Sequence, residues 1–295
     1  MKGRNVADFA QQLINGAAAG CIYGLIALGF VLIYKATEMV NFAQGDLMML
    51  GAFVALSLIT GAGMNYWLAF FCAIAIMAVF GYLLDAIVLR RVIGQPQFAI
   101  VMLTIGLGFV FRSAASMIWG TDTRGFETPF TGGVQNFAGF VIADVNISII
   151  VGTALLCLAL YAFFRFTRVG IAMQAVSQNQ LAAYYMGIPV KTIFSLIWAI
   201  SAGVAAVAGI LLAPVVLIDV NIGLIGLKAF AAAVLGGFGS IPGAVVGGII
   251  IGIIEQFSGI YLKEGFKDIA AYAVILAVLI FYPQGMFGAV GRKRV

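Results

Sequence analysis

Long apolar runs without charges alternate with short polar segments along the whole chain. Four of these runs, residues 17–34, 66–84, 145–164 and 192–218, have about the length of a membrane-spanning helix, which takes about 20 apolar residues. Residues 98–111 and 269–282 become spans once their polar flanks are added, and residues 47–61 and 229–254 are apolar but less regular. The pattern predicts an all-α polytopic bundle of eight to ten membrane segments, forming a single domain over residues 1–295.

Charged residues are scarce in this chain. They make up 9% of its 295 residues, whereas a soluble domain carries about 25%. With 63% hydrophobic residues and a mean hydropathy of +1.13, the chain has too many apolar side chains to hide inside a soluble globule. The composition therefore excludes a soluble enzyme, a nucleic-acid-binding protein and a disordered chain. We expect an integral membrane protein whose surroundings are the lipid bilayer.

The residue types also restrict the chemistry. The sequence contains no histidine, so this chain alone can form no histidine-based triad, zinc site or haem ligand. Its three cysteines, Cys21, Cys72 and Cys157, lie far apart inside apolar runs and are interpreted as small hydrophobic side chains. We therefore predict no catalytic residue and no metal site.

Basic residues predict which loops face the cytoplasm, because Lys and Arg concentrate on that side of membrane proteins. Arg165, Arg168 and Lys191 bracket one loop, and a basic cluster at residues 292–294 ends the chain. We expect both on the cytoplasmic face. The glycine-rich segment 120–144 is then expected on the outer face.

Small residues recur at four-residue spacing along several apolar runs. Gly16, Gly20 and Gly24 share one face of the first helix, and Gly248 and Gly252 repeat the spacing late in the chain. Helices in lipid have no hydrophobic reason to associate, so small residues let their backbones approach closely. The spacing predicts tight helix packing.

A polar insert, residues 41–46, separates the first apolar run from a second helix that is expected to begin near Leu47. Asp46 would lie at the start of that helix, where the helix dipole favours an anion. The insert is either an ordinary interfacial loop or a broken segment whose polar groups line an aqueous path, since irregular backbone at membrane depth is tolerated only there or inside protein. On the second interpretation Asn41, Gln44 and Asp46 are the candidate path residues.

A second irregular stretch covers residues 228–255. Glycines and a proline interrupt its middle and weaken a continuous helix, so we predict two half-helices or two short crossings joined by a tight turn. These residues are candidates for a helix break or a gate: Gly236, Gly237, Gly239, Pro242 and Gly243. The stretch looks like a phosphate-binding glycine loop, but the chain contains no Gly-Lys pair, which argues against nucleotide binding.

Five ionisable residues stand inside the hydrophobic portion: Asp46, Asp85, Arg112, Lys228 and Glu255. A charge in lipid is costly, so each is expected at an interface, in a pair or facing a cavity. Arg112 is placed near the outer end of its span, where its side chain could snorkel to the surface.

The loop at residues 167–192 has more structure than a simple connection. Residues 171–186 favour an amphipathic helix, Gly187 provides a helix stop and Pro189 prevents continuation. Such a helix on the cytoplasmic face indicates a docking element for another protein. The alternative is a helix lying on lipid, although the segment is poor in Lys and Arg for that role.

Several motifs together resemble one known family. Residues 182–188 resemble the core of the loop by which permeases of ABC importers engage their ATPases. Residues 40–53, 167–179 and 228–255 resemble signatures of the branched-chain amino acid ABC transporter permease family, and residues 282–288 complete the order. The similarity covers nearly the whole chain.

The resemblance implies a multi-pass subunit of the bacterial inner membrane with its C-terminus in the cytoplasm. It implies four partners: two cytoplasmic ABC ATPase subunits, a second homologous permease and a periplasmic substrate-binding protein. Mg-ATP would be bound by the ATPases, and this chain would hold no cofactor. Ala182, Ala183, Gly187 and Ile188 would form the ATPase-coupling element.

The expected cargo is leucine, isoleucine or valine. Gln44 stands where the family often has His, and Asp46 stands where Glu is common, which leaves urea, amides or another amino acid as alternatives. A self-sufficient secondary transporter or channel is a rival, although only a loose echo links the Asn41 region to the Asn221 region. A membrane-embedded enzyme ranks last.

Overall fold

The computed structural model describes residues 2–92, 95–137, 140–262, 265–282 and 285–287. Over these residues the apolar runs form α-helices, as expected where backbone groups must be satisfied without water. The α-helices are α1 (Lys2–Thr37), α2 (Gln44–Thr60), α3 (Tyr66–Ile87), α4 (Gln97–Trp119), α5 (Asp144–Phe166), α6 (Arg168–Gln178), α7 (Gln180–Tyr185), α8 (Val190–Leu212), α9 (Ile225–Gly236), α10 (Ile241–Tyr261) and α11 (Phe266–Phe281). Short 3₁₀ turns cover Leu89–Arg91 and Ile222–Leu224.

Six of the described helices are long and apolar enough to cross a membrane: α1, α3, α4, α5, α8 and α10. Three shorter apolar helices, at α2, α9 and α11, accompany them. This confirms a polytopic helical membrane protein. The count of eight to ten segments stays a prediction, because it depends on whether the shorter helices cross.

One long helix ends earlier than its apolar run suggests. The run continues to residue 218, but α8 ends at Leu212. Pro214 has no backbone N–H to donate to the carbonyl of Ile210, so the helix cannot continue through it. The prediction of a helix over residues 192–218 is therefore wrong at its C-terminal end.

The segment at residues 120–144 contains a small departure from the all-α class. Strands β1 (Val134–Phe137) and β2 (Phe140–Ala143) pair antiparallel, with Val134 opposite Ala143. Upstream of this hairpin, Arg124 and Ile218 exchange two backbone hydrogen bonds of 2.9 Å. These bonds connect the segment at residues 120–144 to the loop that follows α8.

Helices α1 and α8 form the centre of the bundle. In the most apolar 18-residue part of each helix, 89% of the residues of α1 and 83% of those of α8 are buried, compared with 28% in α4 and 17% in α5. Helix α1 packs against α8, α9 and α10, and α8 also packs against α2 and α3. Helices α3, α4, α5, α10 and α11 present large apolar side chains outward, as lipid contact requires.

Backbone contact through glycine joins α1 to α10. A Cβ built on Gly20 would lie 2.5 Å from the Cα of Ile249, and one built on Gly16 would lie 2.9 Å from the Cα of Ile253. From the α10 side, Gly248 and Gly252 face α1 in the same way. The prediction that these spaced glycines form a packing face is confirmed.

We expect Gly20→Ala to destabilise the protein, because the new methyl group would overlap the backbone of α10. Overpacking of this kind costs about 1–3 kcal/mol. The measurement is the thermal unfolding midpoint of the purified protein in detergent. Gly106→Ala in α4 is the matched control, since a Cβ there meets nothing within 4 Å. Equal midpoints for the two variants would contradict the role of the glycine contact.

Candidate functional site

The polar break between α1 and α2 returns into the bundle instead of staying at its surface. Gln44 lies beside Gly29 of α1, eight residues before the end of that helix at Thr37. At 1.5 Å per residue, this separation places the start of α2 about 12 Å inward along α1. Asn41, Gln44 and Asp46 are 1%, 0% and 2% exposed, so the structure favours a buried break over an interfacial loop.

Hydrogen bonds of Asn41, Gln44 and Ser201 connect the helices α1, α2 and α8. Asn41 Nδ2 donates to Gln44 Oε1 at 3.2 Å, and Gln44 Nε2 donates to the carbonyl of Ser201 in α8 at 3.3 Å. Ser201 Oγ lies 3.1 Å from both Gln44 Oε1 and the carbonyl of Gly29. The two predicted path residues therefore hold the break in place by bonding to protein groups.

The N-terminus of α9 lies next to the N-terminus of α2, and glycines allow the two to approach closely. A Cβ on Gly45 would overlap the carbonyl oxygen of Gly223 and lie 2.9 Å from the Cα of Gly226. The Asn41 and Asn221 regions, which echo each other in sequence, thus meet in space. Two helix N-termini, each with a partial positive charge, converge beside Asp46.

Asp46 forms an ion pair with Arg112 of α4. Arg112 Nε lies 2.6 Å from Asp46 Oδ1, and Arg112 Nη2 lies 3.4 Å from Asp46 Oδ2. The Asp46 side chain is 3% exposed and that of Arg112 is 27% exposed. The guanidinium also lies 5.7 Å from the centre of the Phe109 ring, a cation–π distance. Arg112 therefore reaches inward to a partner, and the expectation that it snorkels outward is wrong.

The ion pair forms part of the wall of an open cleft of about 310 Å³. The other walls are mostly aromatic and aliphatic, from α1, α4, the break and the start of α9: Phe30, Phe42, Ile105, Phe109, Leu224 and Leu227, with Gly223 and Gly226. The cleft thus combines one positive and one negative group with an apolar surface. Of the three predicted path residues, Asp46 is the one on its wall.

The other intramembrane charges are paired as well. Lys228 Nζ lies 2.8 Å from Glu255 Oε1, and the Tyr23 hydroxyl donates to Glu255 Oε2 at 2.6 Å, which joins α9, α10 and α1. The Ser195 hydroxyl donates to Asp85 Oδ2 at 2.6 Å, with Arg90 close by. The expectation that each membrane charge is paired, at an interface or beside a cavity holds for all five residues.

The second irregular stretch is interrupted as predicted, but α10, at 21 residues, is a full-length helix and not a half-helix. Helix α9 ends at Gly236, Gly237 has a φ of 89°, and the Ser240 side chain accepts a hydrogen bond of 3.1 Å from the N–H of Gly243 at the start of α10. Pro242 lies in the first turn, where its missing N–H costs nothing. Gly236 and Gly243 are in backbone contact, which lets the two helices pack closely. A gating role for these residues and Gly239 stays a prediction.

The loop at residues 167–192 forms two short helices, α6 and α7. They meet at Asn179, whose side chain accepts a hydrogen bond of 2.9 Å from the N–H of Ala182. Gln180 Nε2 donates to the carbonyl of Ala36 at 3.1 Å, which places α7 beside the end of α1. Gly187 has a φ of 81°, so it ends the helix in the left-handed conformation that the sequence indicates.

The predicted coupling residues divide into an anchored set and an exposed set. Ala183 is 4% exposed and Ile188 packs against the core, whereas Ala182 and Gly187 face outward. The neighbouring apolar side chains are 63–82% exposed: Leu181, Tyr184, Tyr185 and Met186. This arrangement presents an apolar surface on a firmly held support.

Comparison with known proteins gives the family. The family model described as branched-chain amino acid transport system / permease component matches residues 12–282. The chain belongs to this family. Two relatives are the high-affinity branched-chain amino acid transport system permease proteins LivH of Salmonella typhimurium and BraD of Pseudomonas aeruginosa. They are 34% and 33% identical, and each match covers 95% of this chain and 96% of the relative.

A solved structure supports the fold independently. PsaBC from Streptococcus pneumoniae, in complex with Fab, superposes with a TM-score of 0.50 and 17% sequence identity. The match covers 95% of this chain and 97% of the other. At that identity the similarity concerns the fold alone.

Sequence reasoning identified Arg112 and Asp46 as separate intramembrane charges but did not pair them. It also did not predict the hydrogen bonds of Ser201 or the contact between Gly45 and Gly223. The sequence contained one signal for the pairing of Arg112 with Asp46, because a cation in one apolar segment and an anion in another complement each other. The glycine contact had only the weak echo around Asn221.

We expect Gln44→Ala to lower stability by about 1–3 kcal/mol, because it leaves buried polar groups of Asn41 and Ser201 without their partner. The thermal unfolding midpoint in detergent measures this change. Gln256→Ala is the matched control, since the Gln256 amide donates to Gln12 at 2.7 Å in a less buried place. A fall in midpoint no greater than the control's would contradict the bracing role.

Proposed function

We propose that this chain is a transmembrane permease subunit of an ATP-driven ABC importer that carries leucine, isoleucine or valine across the bacterial inner membrane. The observation that carries the proposal is the meeting of two helix starts around an ion pair that lines an open cleft between α1, α4 and the start of α9. Discontinuous helices of this kind form substrate sites in transporters, because their exposed backbone groups can face a polar cargo. Family membership supplies the cargo class.

The path follows the polar break. Asp46 lines it, and Asn41 and Gln44 shape it by holding the break against α1 and α8. The α9–α10 turn at residues 236–243 is the candidate gate, because the 12-residue α9 can shift there relative to the 21-residue α10 without distorting either helix. Counting α2, α9 and α11 as partial or full crossings gives nine segments, within the expected eight to ten.

The coupling element comprises α6 and α7, with Ala182, Ala183, Gly187 and Ile188 at its end. Two observations support this role: the exposed apolar surface on α7, and the position of α6 and α7 between the spans α5 and α8. Closure of the ATPases on bound ATP would push this element and shift the attached spans between two packings, a rearrangement of rigid helices. The loop, and with it the C-terminus, would lie in the cytoplasm.

The complex would contain two ATPase subunits, a second homologous permease and a periplasmic binding protein that delivers the amino acid. Mg-ATP would bind to the ATPases, in keeping with the absence of a Gly-Lys pair from the sequence. The residues that would carry the basic C-terminal cluster, 292–294, lie outside the described part of the chain.

Reconstitution into lipid vesicles tests the proposal. The chain, its permease partner, the ATPases and the binding protein should together import radiolabelled leucine in an ATP-dependent manner. Vesicles that contain this polypeptide alone should import none. Sustained flux through the pure polypeptide without nucleotide would favour the rival self-sufficient carrier, and failure of the complete complex to import any branched-chain amino acid would refute the cargo.

We expect Gly187→Val to uncouple ATP hydrolysis from uptake or to prevent assembly, because a β-branched residue is strained at a φ of 81° and would displace the end of α7. The strained backbone costs about 1–3 kcal/mol and displaces the docking surface. Leucine uptake should therefore fall at least about tenfold. Uptake, ATPase activity and co-purification of the ATPases are measured together.

Gly63→Val is the matched control for this variant. Gly63 also has a positive φ, 62°, and a Cβ there meets nothing within 4 Å, but it lies between α2 and α3, away from the coupling element. The control should keep its coupling. Normal uptake and normal ATPase co-purification in Gly187→Val would exclude the proposed role of α7.

A further inference from the structure

We propose that the Asp46–Arg112 pair receives the charged end of the transported amino acid. The α-ammonium group would bind Asp46, the α-carboxylate would bind Arg112, and the aliphatic side chain would lie among the apolar residues of the cleft. This inference rests on the proposed function, because it concerns how the same path recognises its cargo.

The geometry of the cleft supports this orientation. Its two charged groups are adjacent on one wall, 2.6 Å apart at their closest atoms, as the two charged groups of an amino acid are adjacent on one carbon. The rest of the lining is aromatic and aliphatic, from Phe30, Phe42 and Phe109 to Leu227. A molecule with a zwitterionic end and a branched hydrocarbon end matches both parts of this surface.

Electrostatics distinguish a zwitterion from other ligands at this site. Opening a mostly buried ion pair leaves two uncompensated charges, which is strongly unfavourable. A zwitterion supplies one counter-charge to each partner, so both charges stay paired while the substrate is bound. A simple amine or a simple carboxylic acid would satisfy only one of the two and leave the other unpaired.

The two helix starts add to the same preference. The N-termini of α2 and α9 meet at Gly45 and Gly223, next to Asp46, and their partial positive charge stabilises the carboxylate of Asp46 while the substrate separates it from Arg112. Asp46 is thus supported in both states of the site.

The other intramembrane pairs do not share this setting. Lys228 and Glu255 are absent from the lining of the cleft, and Glu255 already accepts a hydrogen bond from Tyr23. Among the described residues, the pair of Asp46 and Arg112 is the one on the cleft wall. The Lys228–Glu255 pair therefore provides a matched control for the loss of a buried ion pair.

The test uses leucine with a photoreactive diazirine in its side chain. The complete importer in vesicles is loaded with this probe through its binding protein, energised with ATP, trapped with vanadate and irradiated, and the labelled peptides are identified by mass spectrometry. We expect labelling near Phe42, Phe109 and Leu227. Labelling confined to other regions of the chain would overturn the inference.

Variants test the role of the charges. Asp46→Asn and Arg112→Gln should each reduce cleft labelling about tenfold or more, the effect of losing one partner of a buried charge pair. The double variant Asp46→Asn/Arg112→Gln leaves no unpaired charge, so it keeps the test possible if a single variant does not assemble. The control Lys228→Met/Glu255→Gln should retain labelling. Undiminished labelling in the double variant would overturn the inference.

Failure of the inference and failure of the proposed function give different results. If the wild-type complex imports no leucine, the proposed function fails. If the wild-type complex imports leucine and the probe never labels the cleft, or the double variant transports leucine at the wild-type rate, the inference alone fails.

Discussion

Close backbone contact between α1 and α10 is the packing interaction on which the centre of the bundle depends. Lipid offers no hydrophobic force that would press these helices together, so the contact depends on glycines that let one backbone approach the other. With α1 held there along one face, Gly29 on the same helix leaves room for Gln44, and the chain after α1 can return into the bundle. The polar break and the cleft beside it follow from that packing.

Charge pairing is the second constraint, and the three ion pairs that satisfy it lie in different surroundings. A charge within the bilayer needs a partner or water. The pairs of Glu255 with Lys228 and of Asp85 with Arg90 connect neighbouring helices, and neither lies on the wall of the cleft beside Asp46. The pair of Asp46 with Arg112 meets the same requirement beside an open cleft. One physical rule therefore produces two pairs that connect helices and one pair that lines a cleft.

Local signals predicted a large part of this structure. The apolar runs located the helices, and glycine with proline located the turns at Gly187 and around Gly237, because each of these features depends on a few neighbouring residues. The end of α8 was misplaced because the apolar run passes through Pro214 without any charge to mark a boundary. The site itself was only half predictable. Asp46 and Arg112 are 66 residues apart, and nothing local to either shows that two helices bring them together.

The central position of α1 has a consequence for how the protein is made. Tyr23 on α1 bonds to Glu255 on α10, and 232 residues separate them. At 5–20 residues per second, the ribosome takes roughly 10–50 s to synthesise that interval. During this time α1 lacks α10, the helix that it packs against through its glycines. The glycine face of α1 and the Tyr23 hydroxyl then lack their contacts of the folded state. During biogenesis α1 therefore needs temporary contacts, with lipid at the interface or with the insertion machinery, until α10 has been synthesised and replaces them.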